Sequence, residues 1–155
     1  MDYKIEVATI NDVPDLFALQ KKAFKPVAEK LGWDGIPQMS ETMDQSIVAF
    51  ANDKVLKLVC GNGKIIGSVR GSVTDGVLYV GRLMVDPDFQ GQGLGRVLQR
   101  KLESMFEFGK ESLHCYCGDE GAYQFYRRDG FVEVGTQLVG NGVMAFIMEK
   151  PVNKY

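Results

Sequence analysis

The sequence predicts a single α/β (α+β) domain built on a mixed, mostly antiparallel sheet of six to seven strands with helices on both faces. Three observations support this prediction. The dipeptides Asn62-Gly63 and Asp75-Gly76 join three strand-like segments into antiparallel hairpins, because type I′ turns need positive φ at both central residues. A strand, a helix and a strand follow over residues 77–117, and such a crossover makes its two strands parallel. A last hairpin follows over residues 132–149.

The spacing of apolar and turn residues predicts the order βααβββαβαββ. Strands are expected at Lys4–Ala8, Lys54–Cys60, Lys64–Thr74, Val77–Val85, Leu113–Cys117, Val132–Val139 and Val143–Glu149. Helices are expected after a cap at Thr9 or Asn11, from a cap at Ser40 to about Phe50, and over Leu94–Phe108 and Glu120–Arg128. Two glycines, a proline and Trp33 interrupt the helical pattern over residues 30–39, which predicts a loop there.

Length and composition limit the function classes. The chain has 155 residues, so we expect residues 1–155 to form one domain. Hydrophobic residues make up 45% and charged residues 25%, which is typical of a globular protein and argues against disorder. The formal net charge of -2 predicts no general affinity for nucleic acid or for an anionic membrane.

The N-terminal segment MDYKIEVATI lacks the charged region and apolar stretch of a signal peptide. No uninterrupted apolar run approaches the ~18 residues that span a bilayer. We therefore expect a cytoplasmic protein with no membrane partner.

The three cysteines do not predict a disulfide framework or a metal site. Cys115 and Cys117 lie two positions apart in a strand-like run, so they face the same side, and Cys60 is distant in the sequence. No second cysteine pair completes a zinc site, and His114 is the only histidine. We expect reduced thiols and no metal.

The most informative segment is Gln90-Gly91-Gln92-Gly93-Leu94-Gly95-Arg96, which joins a predicted strand to a predicted helix. Alternating glycines allow positive φ and leave a concave surface free of side chains. Free N–H groups then converge at the helix N-terminus, which predicts a pyrophosphate site. Arg96 stands where the dinucleotide fingerprint needs glycine, and a Walker A loop would need a following GK[ST]. The alternative is a tight turn whose glycines serve geometry alone.

Two motifs resemble those of the GNAT superfamily of N-acetyltransferases. The sequence Gln90-x-x-Gly93-x-Gly95 resembles the acyl-CoA signature of that family. Residues 119–131, D-x-x-A-x-x-F-Y-x-x-x-G-F, are similar to a second family segment that begins with Asn. The element order also matches over almost the whole chain, so the resemblance implies a single N-acetyltransferase domain over residues 1–155.

The resemblance also implies where acetyl-CoA binds. The two central parallel strands, Val77–Val85 and Leu113–Cys117, would splay apart and admit the pantetheine arm. The backbone of Leu83, Met84 and Val85 would hydrogen-bond to that arm as to an added strand. The pyrophosphate would be held by the N–H groups of Gln90, Gly91, Gln92, Gly93, Leu94, Gly95 and Arg96.

Asp119 departs from the family, which usually has Asn at this position in contact with the pantetheine arm. An ionised carboxylate accepts hydrogen bonds but cannot donate them. Asp119 therefore has two interpretations, a contact to pantetheine and an N-cap for the helix that begins near Glu120.

Tyr126 matches the tyrosine of the family and is the candidate catalytic acid. A phenol with a reference pKa of about 10 stays protonated at neutral pH and can protonate a departing thiolate. The alternative is that Phe125 and Tyr126 only pack on an amphipathic helix.

The general base is not evident from the sequence. Candidates by residue type alone are Asp34, Glu41, Asp44 and Asp75, each explained more simply as a surface charge or a cap. His114 can also act as a base, but a lone histidine inside a strand is more often a packed residue.

Other candidates concern the two substrates. Trp33 lies in a region that often lines the acceptor site in such enzymes, and simple packing is the alternative. Arg96, Arg100 and Lys101 can meet the phosphates of coenzyme A or form a solvated helix face. Arg70 and Arg82 can bind an acidic acceptor group or form salt bridges within the sheet.

The resemblance implies direct transfer of an acetyl or other acyl group from acyl-CoA to a primary amine in a ternary complex. The acceptor is expected to be a small-molecule or peptide amine. The last hairpin can pair with that of a second copy, so a homodimer is an open alternative. A non-catalytic acyl-CoA-binding regulatory module of the same fold is the alternative. Neither the charge nor any motif supports nucleic-acid binding.

Overall fold

Seven β-strands form one sheet in the computed structural model, which describes residues 2–152. The strands are β1 (Tyr3–Val7), β2 (Lys54–Cys60), β3 (Ile65–Thr74), β4 (Val77–Val85), β5 (Lys110–Tyr116), β6 (Val132–Gly140) and β7 (Val143–Pro151). They lie in the order β1-β2-β3-β4-β5-β7-β6. Every neighbouring pair is antiparallel except β4 and β5, which are parallel. The predicted mixed, mostly antiparallel sheet is confirmed.

Helices cover both faces of this sheet. They are α1 (Val13–Leu31), α2 (Pro37–Ser40), α3 (Met43–Asn52), α4 (Leu94–Glu103) and α5 (Glu120–Arg128). Consecutive strand residues point to opposite faces, and Val55 and Leu56 of β2 are both buried. Val55 belongs to a cluster with Leu16 of α1, whereas Leu56 belongs to a cluster with Leu98 of α4. The helices therefore lie on both faces, as predicted.

The two central strands separate after a short stretch of pairing. Parallel pairing joins only the first three residues of β4 to the first three of β5. On its other side, β4 carries one extra residue, because Ser68 of β3 pairs with Met84 whereas Arg70 pairs with Gly81. A bulge of this kind bends the strand that carries it. The bend moves the later part of β4 away from β5, which confirms the predicted splay.

Arg82 lies inside this bulge with a φ of +51°. A residue other than glycine in this left-handed conformation costs about 1–3 kcal/mol and persists only where its surroundings hold it. The contacts of the Arg82 side chain, described below, supply that restraint.

The predicted bounds of the loop over residues 30–39 are wrong, because a helix occupies each end of this segment. Helix α1 continues through Leu31 and ends at Gly32, whose φ of +71° favours glycine. Residues 37–40 form the single turn of α2. The cap of α3 is Thr42, whose hydroxyl accepts a hydrogen bond from the Gln45 N–H at 3.2 Å. The predicted cap, Ser40, instead ends α2, because two short helices share this segment and local spacing does not separate them.

The predicted helix over Leu94–Phe108 is too long. Helix α4 ends at Glu103, and Met105 and Phe106, which continue the apolar spacing, pack against the core from the segment after the helix. The following strand begins at Lys110 rather than Leu113, because β7 pairs with every residue of β5. Cys117 lies beyond the end of that strand. Among residues 2–152, no helix is long and apolar enough to cross a membrane.

Leu98 of α4 is fully buried, so the Leu98→Ala variant is expected to lower the free energy of unfolding by about 2–5 kcal/mol. Urea denaturation followed by circular dichroism measures this change. The control is Leu138→Ala, because Leu138 is 62% exposed and its truncation should change stability by less than about 0.5 kcal/mol. Equal midpoints for the two variants would contradict the assignment of the core.

Candidate functional site

The turn between β4 and α4 begins at a buried acid. Asp86 is 1% exposed, and its carboxylate accepts a hydrogen bond from the Asp88 N–H at 2.9 Å. The ammonium of Lys22 on α1 lies 2.9 Å from the same carboxylate. These contacts fix the single 3₁₀ turn at residues 87–89, and with it the direction in which the chain enters the glycine segment.

The glycine segment exposes a row of backbone donors. Gly91 and Gly93 have φ values of +82° and +77°, and Gly93 is the N-cap of α4. The first N–H to bond back into the helix is that of Val97, which donates to the Gly93 carbonyl at 3.2 Å. Within residues 2–152, no backbone acceptor pairs with the N–H groups of residues 91–96. A helix N-terminus with free N–H groups is a site for an anion.

An open space lies over these donors. A Cβ atom built on Gly91 or Gly93 would meet no atom within 4 Å, so no side chain covers these two positions. The side chain of Leu94 points inward and is 3% exposed, which anchors the start of α4. The side chain of Gln90 donates a hydrogen bond to the Val85 carbonyl at 3.1 Å and so joins the turn to β4.

These groups line a cleft of about 460 Å³, which we call the glycine-turn cleft. The predicted binding residues that border it are Leu83, Met84, Val85, Gln90, Gly91, Gly93, Leu94 and Gly95. Tyr126 of α5 forms part of the opposite wall. Gln92 and Arg96 are not among the lining residues, and Gln92 is exposed.

The side chain of Arg96 contacts α5. Its guanidinium lies 4.8 Å from the centre of the Phe125 ring and 3.3 Å from Asp129. Arg100 pairs with Asp129 and, at 2.8 Å, with Glu103. Both arginines are thus engaged by protein groups, whereas Lys101 is exposed. The Nε of Arg96 is buried and has no hydrogen-bond partner among residues 2–152, so these contacts leave the phosphate interpretation of the two guanidinium groups as a prediction.

A second space, the interstrand cleft, occupies the gap between the diverging strands. Its volume is about 180 Å³, and its walls are the later residues of β4 and residues 113–116 of β5. It shares Leu83, Met84, Val85 and Tyr126 with the glycine-turn cleft. The two clefts therefore meet where the splayed strands open towards the row of free N–H groups.

Tyr126 stands at this junction. Its ring makes edge contacts with Phe125 and Phe131 at centroid distances of 5.2 Å and 5.7 Å. Burial raises the pKa of its phenol, so the group stays protonated at neutral pH. The Tyr126 ring therefore packs against its neighbours, which matches the packing alternative from the sequence, and it also borders both clefts.

Asp119 caps α5. Its carboxylate accepts a hydrogen bond from the Ala122 N–H at 3.4 Å, and the Lys30 ammonium lies 3.8 Å away. Of the two interpretations from the sequence, the N-cap is the one that these contacts match. Asp119 also borders the interstrand cleft, so its carboxylate lies beside the predicted path of pantetheine.

A third space, the outer cleft, opens on the far side of the splayed strands. It has a volume of about 360 Å³, and α2, β5 and β6 form its walls. Gln38, Arg82, His114 and Tyr116 border both the outer and the interstrand clefts. The Tyr116 hydroxyl donates to the Gln38 side-chain oxygen at 2.5 Å. His114 is exposed, so its interpretation as a packed strand residue is wrong.

Glu41, a candidate base by residue type, has a position and contacts that the sequence did not predict. It was expected to be a surface charge or a cap, but its side chain is 8% exposed. One carboxylate oxygen accepts from Arg70 at 2.9 Å and from Arg82 at 3.2 Å. The other accepts from Ser46 at 2.7 Å and from Gln20 at 3.0 Å. The salt-bridge interpretation of the two arginines is therefore the one that the contacts match.

The environment of Glu41 rules out a role as general base. Burial by itself would raise its pKa, but hydrogen bonds from Ser46 and Arg70 and the charges of Arg70 and Arg82 outweigh burial and lower the pKa to about 2. A carboxylate with four donors and so low a pKa takes up no proton at neutral pH. Glu41 instead holds Arg82 in the strained bulge.

The remaining candidates lie outside the three clefts. The Trp33 ring packs against Gly35 and against Gly140 at the end of β6, where an added Cβ would lie 2.7 Å from the ring. It therefore supports the β6–β7 hairpin and does not line a cleft. Asp34, Asp44 and Asp75 are exposed, as surface charges are.

Comparison with known proteins was consistent with this geometry. Residues 22–152 match the sequence model of the acetyltransferase (GNAT) domain. The chain therefore belongs to the GNAT acetyltransferase family, whose general activity is acyl transfer. Comparison with curated protein sequences finds no match.

Solved structures of acetyltransferases share the fold. The PaiA N-acetyltransferase from Thermoplasma acidophilum, in complex with coenzyme A, is 15% identical, with a TM-score of 0.80 over 98% of this chain and 100% of that chain. The ribosomal-protein-S18-alanine N-acetyltransferase from Escherichia coli is 21% identical, with a TM-score of 0.72 over 99% and 96%. A spermidine N-acetyltransferase chimera from Vibrio cholerae SpeG and hSSAT is 18% identical, with a TM-score of 0.73 over 97% and 96%.

The Glu41→Gln variant is expected to lose about 3–5 kcal/mol of stability at pH 7, because it removes the carboxylate shared by Arg70 and Arg82 and leaves Arg82 without a counter-charge among the described residues. The depressed pKa means that the carboxylate stabilises the fold above about pH 4.5 and that this contribution disappears as the pH falls towards about 2. The difference between wild type and variant should therefore shrink over that range.

Urea denaturation at a series of pH values measures this difference. The control is Glu29→Gln, because Glu29 is an exposed residue of α1 and its variant should behave like the wild type throughout. A Glu41→Gln variant as stable as wild type at pH 7 would contradict the proposed restraint on Arg82.

Proposed function

We propose that the protein transfers an acetyl or other acyl group from acyl-CoA directly to a primary amine within a ternary complex. The observation that carries this proposal is the row of unpaired N–H groups at residues 91–96 beside the gap between β4 and β5. The acceptor is a small-molecule or peptide amine. The similar structures are named for acceptors as different as spermidine and a ribosomal protein, so fold likeness does not choose among them.

Coenzyme A would bind across the first two clefts. The N–H groups of Gln90, Gly91, Gln92, Gly93, Leu94, Gly95 and Arg96 are proposed to hold the pyrophosphate. Beyond Tyr79, the edge of β4 that faces β5 has no strand partner, so Leu83, Met84 and Val85 are free to pair with the amide groups of pantetheine. Asp119, which borders the same gap, is proposed to contact the arm while it caps α5.

The chain would assist the reaction in three ways. The clefts bring the thioester and the amine together, which replaces a bimolecular encounter. A backbone N–H of residues 83–85 is proposed to stabilise the oxyanion that forms when the amine attacks. Tyr126, protonated and held by its ring contacts at the junction of the clefts, is proposed to give its proton to the departing thiolate of coenzyme A.

The incoming amine must also lose a proton. Glu41 is unsuitable because its low pKa and four hydrogen bonds leave it no basicity. His114 borders both the interstrand and the outer clefts and is exposed, so it can pass this proton to solvent.

The alternative is an acyl-CoA-binding regulatory module without turnover. Two observations favour it, namely the engagement of Asp119 as a helix cap and the lack of a free carboxylate among the described residues that line the outer cleft. Incubation with acetyl-CoA and a panel of amines, with free thiol as the readout, separates the two. Thiol release that depends on the amine supports transfer, whereas coenzyme A binding without release supports the module.

The Gly93→Ala variant is expected to bind coenzyme A at least about 10-fold more weakly than wild type, as measured by calorimetry. Alanine is strained at a φ of +77°, so the substitution is expected to disturb the backbone conformation that presents the free N–H groups. Gly63→Ala is the matched control, because Gly63 has a φ of +87° and an equally open surrounding but lies in the β2–β3 turn. Equal affinity in both variants would refute the pyrophosphate site.

The Tyr126→Phe variant is expected to reduce kcat by roughly 10²-fold while the dissociation constant of coenzyme A stays unchanged, since only the proton donor is removed. Steady-state thiol release and calorimetry measure the two quantities. The control is Tyr123→Phe on the same helix, because Tyr123 borders neither cleft and should keep wild-type kcat. Full turnover by Tyr126→Phe would remove this residue from the mechanism.

A further inference from the structure

We propose that the acceptor amine carries a carboxylate and that Arg82 binds this carboxylate in the outer cleft. The inference rests on the proposed acyl transfer and names the class of its second substrate. Amino acids and related amino carboxylates fit this description. Polyamines, which have no carboxylate, and the N-termini of peptides, whose α-carboxyl group is an amide, do not.

The guanidinium of Arg82 is held in place with donors to spare. Its side chain is 19% exposed, and one terminal nitrogen donates to Glu41 at 3.2 Å. Its Nε is buried and has no hydrogen-bond partner among the described residues. Because a guanidinium carries five N–H donors, the contact with Glu41 leaves several for a ligand. The terminal nitrogens that Glu41 does not occupy can bind a carboxylate in the bidentate geometry that guanidinium favours.

Arg70 provides the contrast. It makes the same kind of contact with Glu41, at 2.9 Å, and its Nε lies 3.7 Å from Asp53. Arg70 is therefore paired on two sides, and it borders neither the interstrand nor the outer cleft. Of the two arginines that share Glu41, only Arg82 borders the outer cleft, where an acceptor would bind.

The charge around the outer cleft favours an anion. Within residues 2–152, no aspartate or glutamate borders this cleft, whereas Arg82 and His114 do. The charge of Glu41 is already matched by two arginines, and Asp119 lies deeper, beside Lys30. A substrate with a second ammonium group would find no counter-charge here and would be repelled by Arg82.

The position of Arg82 also suits delivery of the amine. Arg82 borders both the outer and the interstrand clefts, and residue 83, which follows it, lies at the junction with the glycine-turn cleft. A carboxylate held at Arg82 would therefore leave a neighbouring amine pointing into the gap between β4 and β5. Apolar groups of Pro37 and Leu138 form another part of the wall and can contact the hydrocarbon portion of the acceptor.

Matched acceptor pairs test this proposal. Free α-amino acids and ω-amino acids are compared with their carboxamides, and putrescine represents the diamines, with acetyl-CoA-dependent thiol release as the readout. We expect kcat/KM to be roughly 10- to 100-fold higher for the carboxylate than for the carboxamide, since a charged hydrogen-bonded pair is lost in the latter. Equal values for the two members of each pair, or a preference for putrescine, would overturn the proposal.

Variants and a binding measurement separate this proposal from the proposed function. Arg82→Gln should abolish the preference for carboxylates, whereas Arg70→Gln, which disturbs the same Glu41, should retain it. If Arg82→Gln fails to fold, the preference of the wild-type protein between carboxylates and carboxamides still decides whether the acceptor carries a carboxylate. Calorimetric titration of the same acceptors into the protein saturated with coenzyme A reads the preference without turnover. Selective binding with no thiol release would support the carboxylate site and refute acyl transfer. Thiol release at equal rates for carboxylates and carboxamides would support acyl transfer and refute the carboxylate site.

Discussion

The separation of β4 from β5 is the constraint on which the rest of the site depends. One extra residue in β4 bends this strand, and parallel pairing stops after three residues. The bend places Arg82 in a left-handed conformation that the chain would avoid by itself. Glu41 restrains it through an ion pair, so the contact that stabilises the bulge also holds the side chain of a residue that borders the outer cleft.

The ligand-facing surfaces of the site are mostly backbone. At the glycine turn, the N–H groups of residues 91–96 are free, and along the later part of β4 the strand edge is unpaired. Backbone donors keep their positions when surface side chains change, because the elements that carry them are packed on the core. Leu94 and Asp86, both buried, anchor the two ends of the turn in this way. The side chains that remain, Tyr126 and Arg82, lie one at each end of the interstrand cleft.

Local sequence predicted much of the fold and one half of the candidate site. The hairpin dipeptides and the strand–helix–strand order predicted a mixed sheet, although only Asp75-Gly76 has the positive φ at both residues that a type I′ turn needs, and Asn62 does not. The glycine segment predicted the unpaired donors, because these depend on the φ angles of a few consecutive residues. The predicted ends of helices and strands were wrong where tertiary packing determines them. Met105 and Phe106 continue the helical spacing beyond the true end of α4, and Glu111 is fully buried in β5 although its charge argues against a core strand.

The sequence by itself determined the family, the order of the elements and the turn that presents free N–H groups, because these follow from motifs and from short-range backbone geometry. Only the tertiary structure decided what surrounds the acceptor side. Glu41 meets Arg70 and Arg82 across 29 and 41 positions of the chain, and Tyr116 meets Gln38 across 78. No local pattern encodes such contacts. The same residue types occur as exposed charges and as buried ion pairs, and only the packing of the sheet and the helices decides which of the two they form.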